Sequence, residues 1–278
     1  MNLISTPSVQ HRLKVIIDSK NLVLENVYNQ EPLSYDEIME WCRSQAEFFK
    51  DYICDVGTLL GAAAGQGKNI LFEAQLGALR DIDYGIYPFT SSSNTIASYA
   101  PIGAGIPGCA LDNVVGVMKA YSTCVGEGPF VAETAMGEAW NEKLRESGGE
   151  FGAATGRPRR VGPFDAVASR YGIRCQKAQD IALTKLDVLG AFDKIPVITG
   201  YRLHGVLLDS FPTDSRLEEA EPVIEELPGW GCDISGCRSW KDLPENARKY
   251  VCTLEKLVDH PIYLVSTGAE RDAYLLRE

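Results

Sequence analysis

The sequence predicts an α/β protein in which a mixed, largely parallel central sheet is flanked by helices. Short apolar runs such as 180–183 and 261–265 have the length of buried strands, and helical patterns lie between such runs. Strands that alternate with helices are typical of a parallel or mixed sheet. No stretch has the composition of a linker, so we expect one domain over residues 1–278.

The composition indicates an ordinary globular protein with an acidic balance. Of the 278 residues, 45% are hydrophobic and 23% are charged, and the formal net charge is -11. This charge opposes general binding to nucleic acids or to membrane surfaces, because both are polyanions that would be repelled. A dense cluster of arginines is therefore informative, since it goes against the overall charge.

The eight cysteines are spread along the chain, and none forms a Cys-x-x-Cys pair. Together with only three histidines, they do not predict a structural zinc site. We recognise neither a signal peptide nor an apolar run of about 18 residues that would span a bilayer. The sequence therefore predicts a cytoplasmic protein with reduced thiols.

The first clear element begins at Ser34, which forms a capping-box pattern with Glu37. The apolar residues that follow recur at helical spacing as far as Leu60, which predicts one long helix. A flexible stretch at 61–67 ends this helix, and the apolar run 69–73 is predicted to be a buried strand.

Residues 77–109 are rich in Gly, Ser, Pro and Tyr and predict a long ordered loop. Loops of this length are uncommon unless they serve a ligand. The remaining predicted elements are a strand at 180–183, a hairpin of strands at 196–201 and 206–208, a helix at about 244–258, and a last strand at 261–265.

Two glycine-rich stretches match nucleotide-binding motifs without the context that these motifs need. Gly65-Gln66-Gly67-Lys68 lacks the spacing and the hydroxyl residue of a phosphate loop, and it precedes a predicted strand instead of following one. Residues 103–108 match G-x-G-x-x-G, but Pro101 breaks the segment before them, where a dinucleotide fingerprint needs a strand. We interpret both stretches as ordinary loops.

The densest chemical signal is the segment 152–160, which we call the arginine loop. It contains Arg157, Arg159 and Arg160 beside Gly156 and Thr155. Guanidinium groups bind carboxylates and phosphates through paired hydrogen bonds, and a threonine with exposed amides can complete an anion site. In an acidic chain this segment favours an anionic substrate, and the alternative is a solvated basic turn.

A second signal follows the predicted strand 180–183, at the end where open α/β sheets bind ligands. The Asp187 carboxylate can accept from N1–H and the exocyclic amine of guanine, while the Lys185 stem lies along the purine face. Adenine presents a different edge and would be rejected. Ser266-Thr267-Gly268, after the last strand, can close the same pocket. The alternatives are a surface ion pair and a plain turn.

Several further segments occur together with these signals in a characteristic order. They are Phe72-Glu73-Ala74-Gln75, 81–85, 87–94, 119–130, the arginine loop, 184–189, 227–230 and 266–268. In this order they resemble the adenylosuccinate synthetases, from about His11 to the C-terminus. The resemblance implies that family's fold, which is related to P-loop proteins. It also implies a homodimeric ligase that joins IMP and L-aspartate, using GTP and magnesium, on the way to AMP.

The resemblance also implies roles for the matching residues. This chain reads Glu-Ala-Gln-Leu-Gly around Gln75 where many relatives read Glu-Gly-Ala-Gln-Gly, and Pro158 stands where many carry another arginine. The implied IMP contacts are Gln75, Ser91 and Arg157; the aspartate contacts are Val125, Ala153, Ala154, Thr155, Gly156, Arg157 and Arg159; and the GTP contacts are Arg159, Lys185, Leu186, Asp187, Ser266, Thr267 and Gly268.

By the same resemblance, the family's catalytic base, phosphate loop and magnesium ligands lie in an N-terminal segment that this sequence does not contain. We therefore expect no catalytic residue or metal ligand in this chain, exposed sheet edges, and little or no activity from the chain alone. Three interpretations stay open. The chain is an incomplete copy of a working synthetase, one half of a split enzyme, or a non-catalytic purine-nucleotide-binding protein.

Overall fold

The computed structural model describes residues 6–277, and the chain divides into a unit up to Lys68 and a second unit from Asn69 onward. The first unit contains the helices α1 (Pro7–Asn26), α2 (Tyr35–Phe49) and α3 (Val56–Gly65). The sequence analysis does not predict α1, whose apolar residues show only weak helical periodicity. Within the described residues no helix is both long enough and apolar enough to cross a bilayer.

The predicted N-terminus of α2 is confirmed, because the Ser34 side chain accepts a hydrogen bond from the backbone N–H of Glu37. The prediction of one long helix is wrong. The chain becomes extended at Ile53, and α3 begins only after Asp55. The Asp55 carboxylate accepts from the backbone N–H of Thr58 at 3.1 Å. An aspartate that caps a new helix in this way favours a break over a continuous helix.

The second unit contains short helices and strands arranged around two sheets and a small ribbon. Its helices are α4 (Ala100–Gly103), α5 (Val131–Thr134), α6 (Glu138–Gly148), α7 (Ala166–Gln176) and α8 (Glu245–Val258), and its strands are β1 (Val115–Lys119), β2 (Ser122–Cys124), β3 (Arg160–Gly162), β4 (Phe164–Asp165), β5 (Asp180–Thr184), β6 (Lys194–Leu203), β7 (Val206–Leu207), β8 (Glu221–Pro228), β9 (Ile262–Ser266) and β10 (Tyr274–Leu276).

The first sheet has the strand order β1-β5-β9-β10, in which β1, β5 and β9 are parallel and β10 is antiparallel to β9. In the second sheet β6 pairs with β4 in parallel and with β7 and β8 in antiparallel orientation. Strands β2 and β3 form an antiparallel ribbon. The predicted α/β class with a mixed, largely parallel sheet is confirmed.

Most predicted elements of this unit are present. Strands β5 and β9, the β6–β7 hairpin and helix α8 all lie within one or two residues of their predicted positions. Residues 77–109 form the expected long loop, which is interrupted by α4 and by 3-10 turns at Ala78–Arg80 and Ala97–Tyr99. The glycine-rich stretches at 65–68 and 103–108 lie at the C-terminal ends of α3 and α4, so neither follows a strand.

The predicted strand at 69–73 is wrong. The structure describes these five residues and forms no strand there, and the Leu71 side chain is 94% exposed. An apolar run forms a strand only where a neighbouring strand accepts its hydrogen bonds, and the run has no such partner within residues 6–277. Strand β1 lies at the edge of the first sheet, with Val117 70% exposed.

Helix α8 covers the first sheet and supplies much of the core. Tyr250, Val251 and Leu254 are almost completely buried and pack in one cluster with Leu183 of β5. The Tyr250 hydroxyl donates to the carbonyl of Ala120 at 2.6 Å, which fixes the chain just beyond β1. This packing holds the carboxyl ends of the parallel strands in place.

Candidate functional site

The carboxyl ends of β1, β5 and β9 meet at one edge of the first sheet. Lys119 of β1 is paired in register with Thr184 of β5, and Leu183 of β5 is paired with Val265 of β9. Lys185, which follows β5, and Ser266, the last residue of β9, are therefore neighbours at this edge. This is where open α/β sheets bind their ligands.

The segment after β5 turns sharply and presents its polar residues at the edge of the sheet. Lys185 has a left-handed backbone (φ 62), and its Nζ donates to the carbonyl of Gly148 at 3.0 Å. Asp187 begins a short 3-10 turn and is half-buried. Leu186 lies in the core with no exposed area, backbone included, so it fixes the position of this segment.

The turn after β9 is built around a buried threonine. Thr267 is fully buried. Its Oγ1 donates to the carbonyl of Cys237 at 3.2 Å, and its backbone N–H donates to the carbonyl of Ala273 at 2.8 Å. The Ser266 hydroxyl donates to the carbonyl of Gly268 at 2.9 Å. The turn is therefore a fixed wall beside the segment that follows β5.

A buried carboxylate links β1 to the arginine loop. Glu150 is 1% exposed and accepts from Lys119 Nζ at 2.7 Å, from the Tyr121 hydroxyl at 2.6 Å and from Arg159 Nη1 at 3.0 Å. We call these four residues the Glu150 cluster. Glu150 carries no signal in the sequence, because a single glutamate in a glycine-rich turn matches no motif.

The electrostatics of the Glu150 cluster follow from burial and from the close charges. Burial by itself would raise the pKa of Glu150, but hydrogen bonds from Lys119 and Tyr121 lower this pKa overall. Burial lowers the pKa of Lys119, and the Glu150 carboxylate opposes part of that shift. Burial and the hydrogen bond to Glu150 raise the pKa of Tyr121. The carboxylate is therefore ionised at neutral pH and holds two cations beside it.

The arginine loop combines an anchored base with an exposed tip. The N–H of Gly152 donates to the carbonyl of Arg157 at 2.8 Å, and the N–H of Gly156 donates to the carbonyl of Gly152 at 2.8 Å. The exposed residues of the tip are Ala153, Ala154, Thr155, Gly156, Arg157 and Pro158.

Arg159 is the anchored arginine of this loop. Its backbone N–H donates to the carbonyl of Glu150 at 2.9 Å, and its guanidinium belongs to the Glu150 cluster. The buried Nε of Arg159 has no acceptor within the described part of the chain. A buried donor without a partner is costly. The exposed 33% of the Arg159 side chain, and not this nitrogen, is the part that a ligand can reach.

A separate network joins Ser91 to Val125. The backbone N–H and the hydroxyl of Ser91 both donate to the carbonyl of Arg80, at 2.8 and 2.9 Å. The Arg80 guanidinium in turn donates to the carbonyl of Val125 at 3.0 Å, and the Val125 side chain is 71% exposed. Arg80 carries no signal in the sequence, because its side-chain partners in the loop 124–128 are distant along the chain.

The structure therefore links most of the predicted site residues. Lys185 and Arg159 are tied through the turn at 148–150, and Val125 is tied to the arginine loop because Cys124 of β2 pairs with Arg160 of β3. Gln75 is exposed and, in the described chain, forms no hydrogen bond with another predicted site residue. Its predicted contact with IMP stays a prediction.

Comparisons with known proteins identify the family to which this chain is similar. Residues 1–275 match the family model described as adenylosuccinate synthetase. The chain is 46% identical over 277 residues to the adenylosuccinate synthetase of Trichlorobacter lovleyi and 44% identical to that of Pelobacter propionicus, with 99% of this chain covered in both cases. It spans 64% of the length of each of these relatives.

Among solved structures, the chain is similar to the fully ligated adenylosuccinate synthetase from Plasmodium falciparum, with a TM-score of 0.88 and 33% sequence identity. The match covers 97% of this chain and 63% of that chain.

Proposed function

Because the chain belongs to the adenylosuccinate synthetase family, we propose that it provides the guanine-, IMP- and aspartate-binding parts of a GTP-dependent ligase. The ligase forms the C–N bond between IMP and L-aspartate in the synthesis of AMP. The chain works in the cytoplasm and in a homodimeric assembly. Its partners are these three small molecules, and neither nucleic acid nor membrane is one of them.

The observation that carries the proposal is the assembly of polar groups at the carboxyl ends of β1, β5 and β9. Asp187 accepts from N1–H and the exocyclic amine of guanine, and the Lys185 stem lies along the purine. The turn at 266–268 forms a wall of the same pocket, and Leu186 anchors the segment that carries Lys185 and Asp187 in the core. The fixed positions of Lys185 and Thr267 support a pocket that is formed before the nucleotide arrives.

The arginine loop is proposed to receive the amino-acid substrate. Its exposed tip, residues 153–157, presents backbone amides, a hydroxyl and the Arg157 guanidinium to the carboxylates of L-aspartate. Val125 forms the apolar side of this subsite, while Arg157, Ser91 and Gln75 contact IMP. Arg159 lies between the aspartate and GTP subsites, and its side chain, which is 33% exposed, supports a direct contact with one of these anions.

In the proposed reaction, magnesium binds together with GTP. Within residues 6–277, no three His, Cys, Asp or Glu side chains lie together as a possible metal site. We derive no step through the cation. The proposed role of the residues of this chain is to bind and orient the base of GTP, IMP and the carboxylates of L-aspartate.

The proposal is tested by titrating GTP and ATP into the wild-type chain and into Asp187→Asn by calorimetry. We expect the wild-type chain to prefer GTP by about tenfold or more, because guanine meets the carboxylate with two donors. Asp187→Asn should remove this preference, since the amide replaces an acceptor with a donor. Asp214→Asn, an exposed aspartate paired with Arg216, is the matched control. Equal affinity of the wild-type chain for both nucleotides would refute the proposal.

A further inference from the structure

Arg80 lies between two segments that the proposed function assigns to different substrates. Its carbonyl accepts from the N–H and the hydroxyl of Ser91, at 2.8 and 2.9 Å, on the side proposed to contact IMP. Its guanidinium Nη1 donates to the carbonyl of Phe89, two residues before Ser91. Arg80 therefore fixes the Ser91 segment through both its backbone and its side chain.

The same guanidinium holds the loop 124–128, which carries Val125. Nη2 of Arg80 donates to the carbonyl of Val125 at 3.0 Å and contacts Cys124 Sγ at 2.8 Å, and Nη1 donates to the carbonyl of Glu127 at 3.0 Å. A planar guanidinium has five donors in a fixed fork, so it can hold several carbonyls in one geometry.

A second arginine holds the alternate carbonyls of this loop. Nη1 of Arg160 donates to the carbonyls of Gly126 at 3.3 Å and Gly128 at 2.8 Å. Arg160 is itself fixed by an ion pair with Glu133 at 2.6 Å. Carbonyls 125 and 127 are thus bound by one arginine, and carbonyls 126 and 128 by the other.

The loop has a conformation that depends on such support. Gly126 and Gly128 have φ angles of 87° and 107°, and the chain has left strand geometry after Cys124. A Cβ on Gly128 would lie 2.5 Å from the Phe89 ring, so the loop packs directly on the Ser91 segment. The two segments are therefore joined by the Arg80 hydrogen bonds and by this packing contact.

We propose that Arg80 is a positioning residue that couples the IMP contact at Ser91 to the aspartate contact at Val125. Occupation of one subsite restricts the backbone of its segment, and Arg80 transmits that restriction to the other segment. This inference rests on the proposed function. Coupling between two sites of one protein typically changes affinity about 5-fold to 150-fold.

The test is the affinity for L-aspartate, measured with and without saturating IMP, in the wild-type chain and in two variants of Arg80. We expect IMP to raise the wild-type affinity about fivefold or more. Arg80→Leu should reduce this ratio to about one while IMP still binds. Arg80→Lys should not restore the ratio, because an ammonium lacks the fork that spans both segments. The control, Arg216→Leu, removes an exposed arginine paired with Asp214 and should keep the wild-type ratio.

Amide NMR gives a second readout that a general loss of stability would not reproduce. Adding IMP should shift the Gly126 and Gly128 amides in the wild-type chain but not in folded Arg80→Leu, whereas the Ser91 amide should shift in both. An unchanged affinity ratio in Arg80→Leu, or a wild-type ratio of one, would overturn the coupling alone. A wild-type chain that binds neither IMP nor aspartate would overturn the proposed function, and the coupling with it.

Discussion

Replacing Glu150 with glutamine should destabilise the second unit, because the Glu150 cluster would lose its only anion. The carboxylate accepts from three donors, and hydrogen bonds to a charged group contribute about 1.5–3 kcal/mol each. The side chains of Lys119 and Arg159 are 27% and 33% exposed, so water would partly rehydrate both cations. We therefore expect the free energy of unfolding to fall by about 2 kcal/mol, less than for a fully buried ion pair.

Urea unfolding of the wild-type chain and Glu150→Gln measures this difference. The matched control is Glu226→Gln, whose carboxylate pairs with Lys194 at side-chain exposures of 49% and 72%. Exposed pairs of this kind contribute little, so the control should change the free energy of unfolding by less than about 0.5 kcal/mol. Equal effects of the two substitutions would refute the view that the Glu150 carboxylate organises this edge of the sheet.

Three further outcomes are expected. The pKa of Glu150 in the folded chain is below its unfolded value of 4.5, so the ionised carboxylate stabilises the fold fully above that pH. The difference in unfolding free energy between the wild-type chain and Glu150→Gln should therefore shrink as the pH falls below 4.5. Gly162→Ala should lower the melting temperature, because the new Cβ would lie 2.0 Å from the Ala132 carbonyl oxygen and destabilise the fold by about 1–3 kcal/mol. In the control, Gly236→Ala, the new Cβ meets no atom within 4 Å, so the melting temperature should not change. Asp55→Ala should weaken α3, because the first turn would lose its N-cap acceptor, and this should be seen as faster hydrogen exchange in that turn.

The sequence predicted the elements whose signals are local. Strands β5 and β9 are short apolar runs, and α8 has strong helical periodicity, so each is recognisable without its neighbours. The apolar run at 69–73 has the same local signal and forms no strand, because strand formation also requires a partner. The break between α2 and α3 was missed because an aspartate that caps a helix can also occupy its exposed surface.

The site was predictable to a similar extent. The arginine loop and Lys185-Leu186-Asp187 stand out because several functional residue types lie close together in the sequence. Glu150 and Arg80 do not, since their partners Lys119 and Val125 are 31 and 45 residues away along the chain. Only the folded structure shows that Glu150 joins β1 to the arginine loop and that Arg80 holds the loop 124–128.

We propose that this chain supplies the substrate-binding parts of an adenylosuccinate synthetase. The most direct test measures GTP-dependent formation of adenylosuccinate from IMP and L-aspartate in the presence of magnesium. The chain is assayed by itself and mixed with the portion of a relative that its match does not cover. We expect product from the mixture and little or none from the chain alone. No product from a mixture of two folded components would contradict the claim and favour a nucleotide-binding protein without ligase activity.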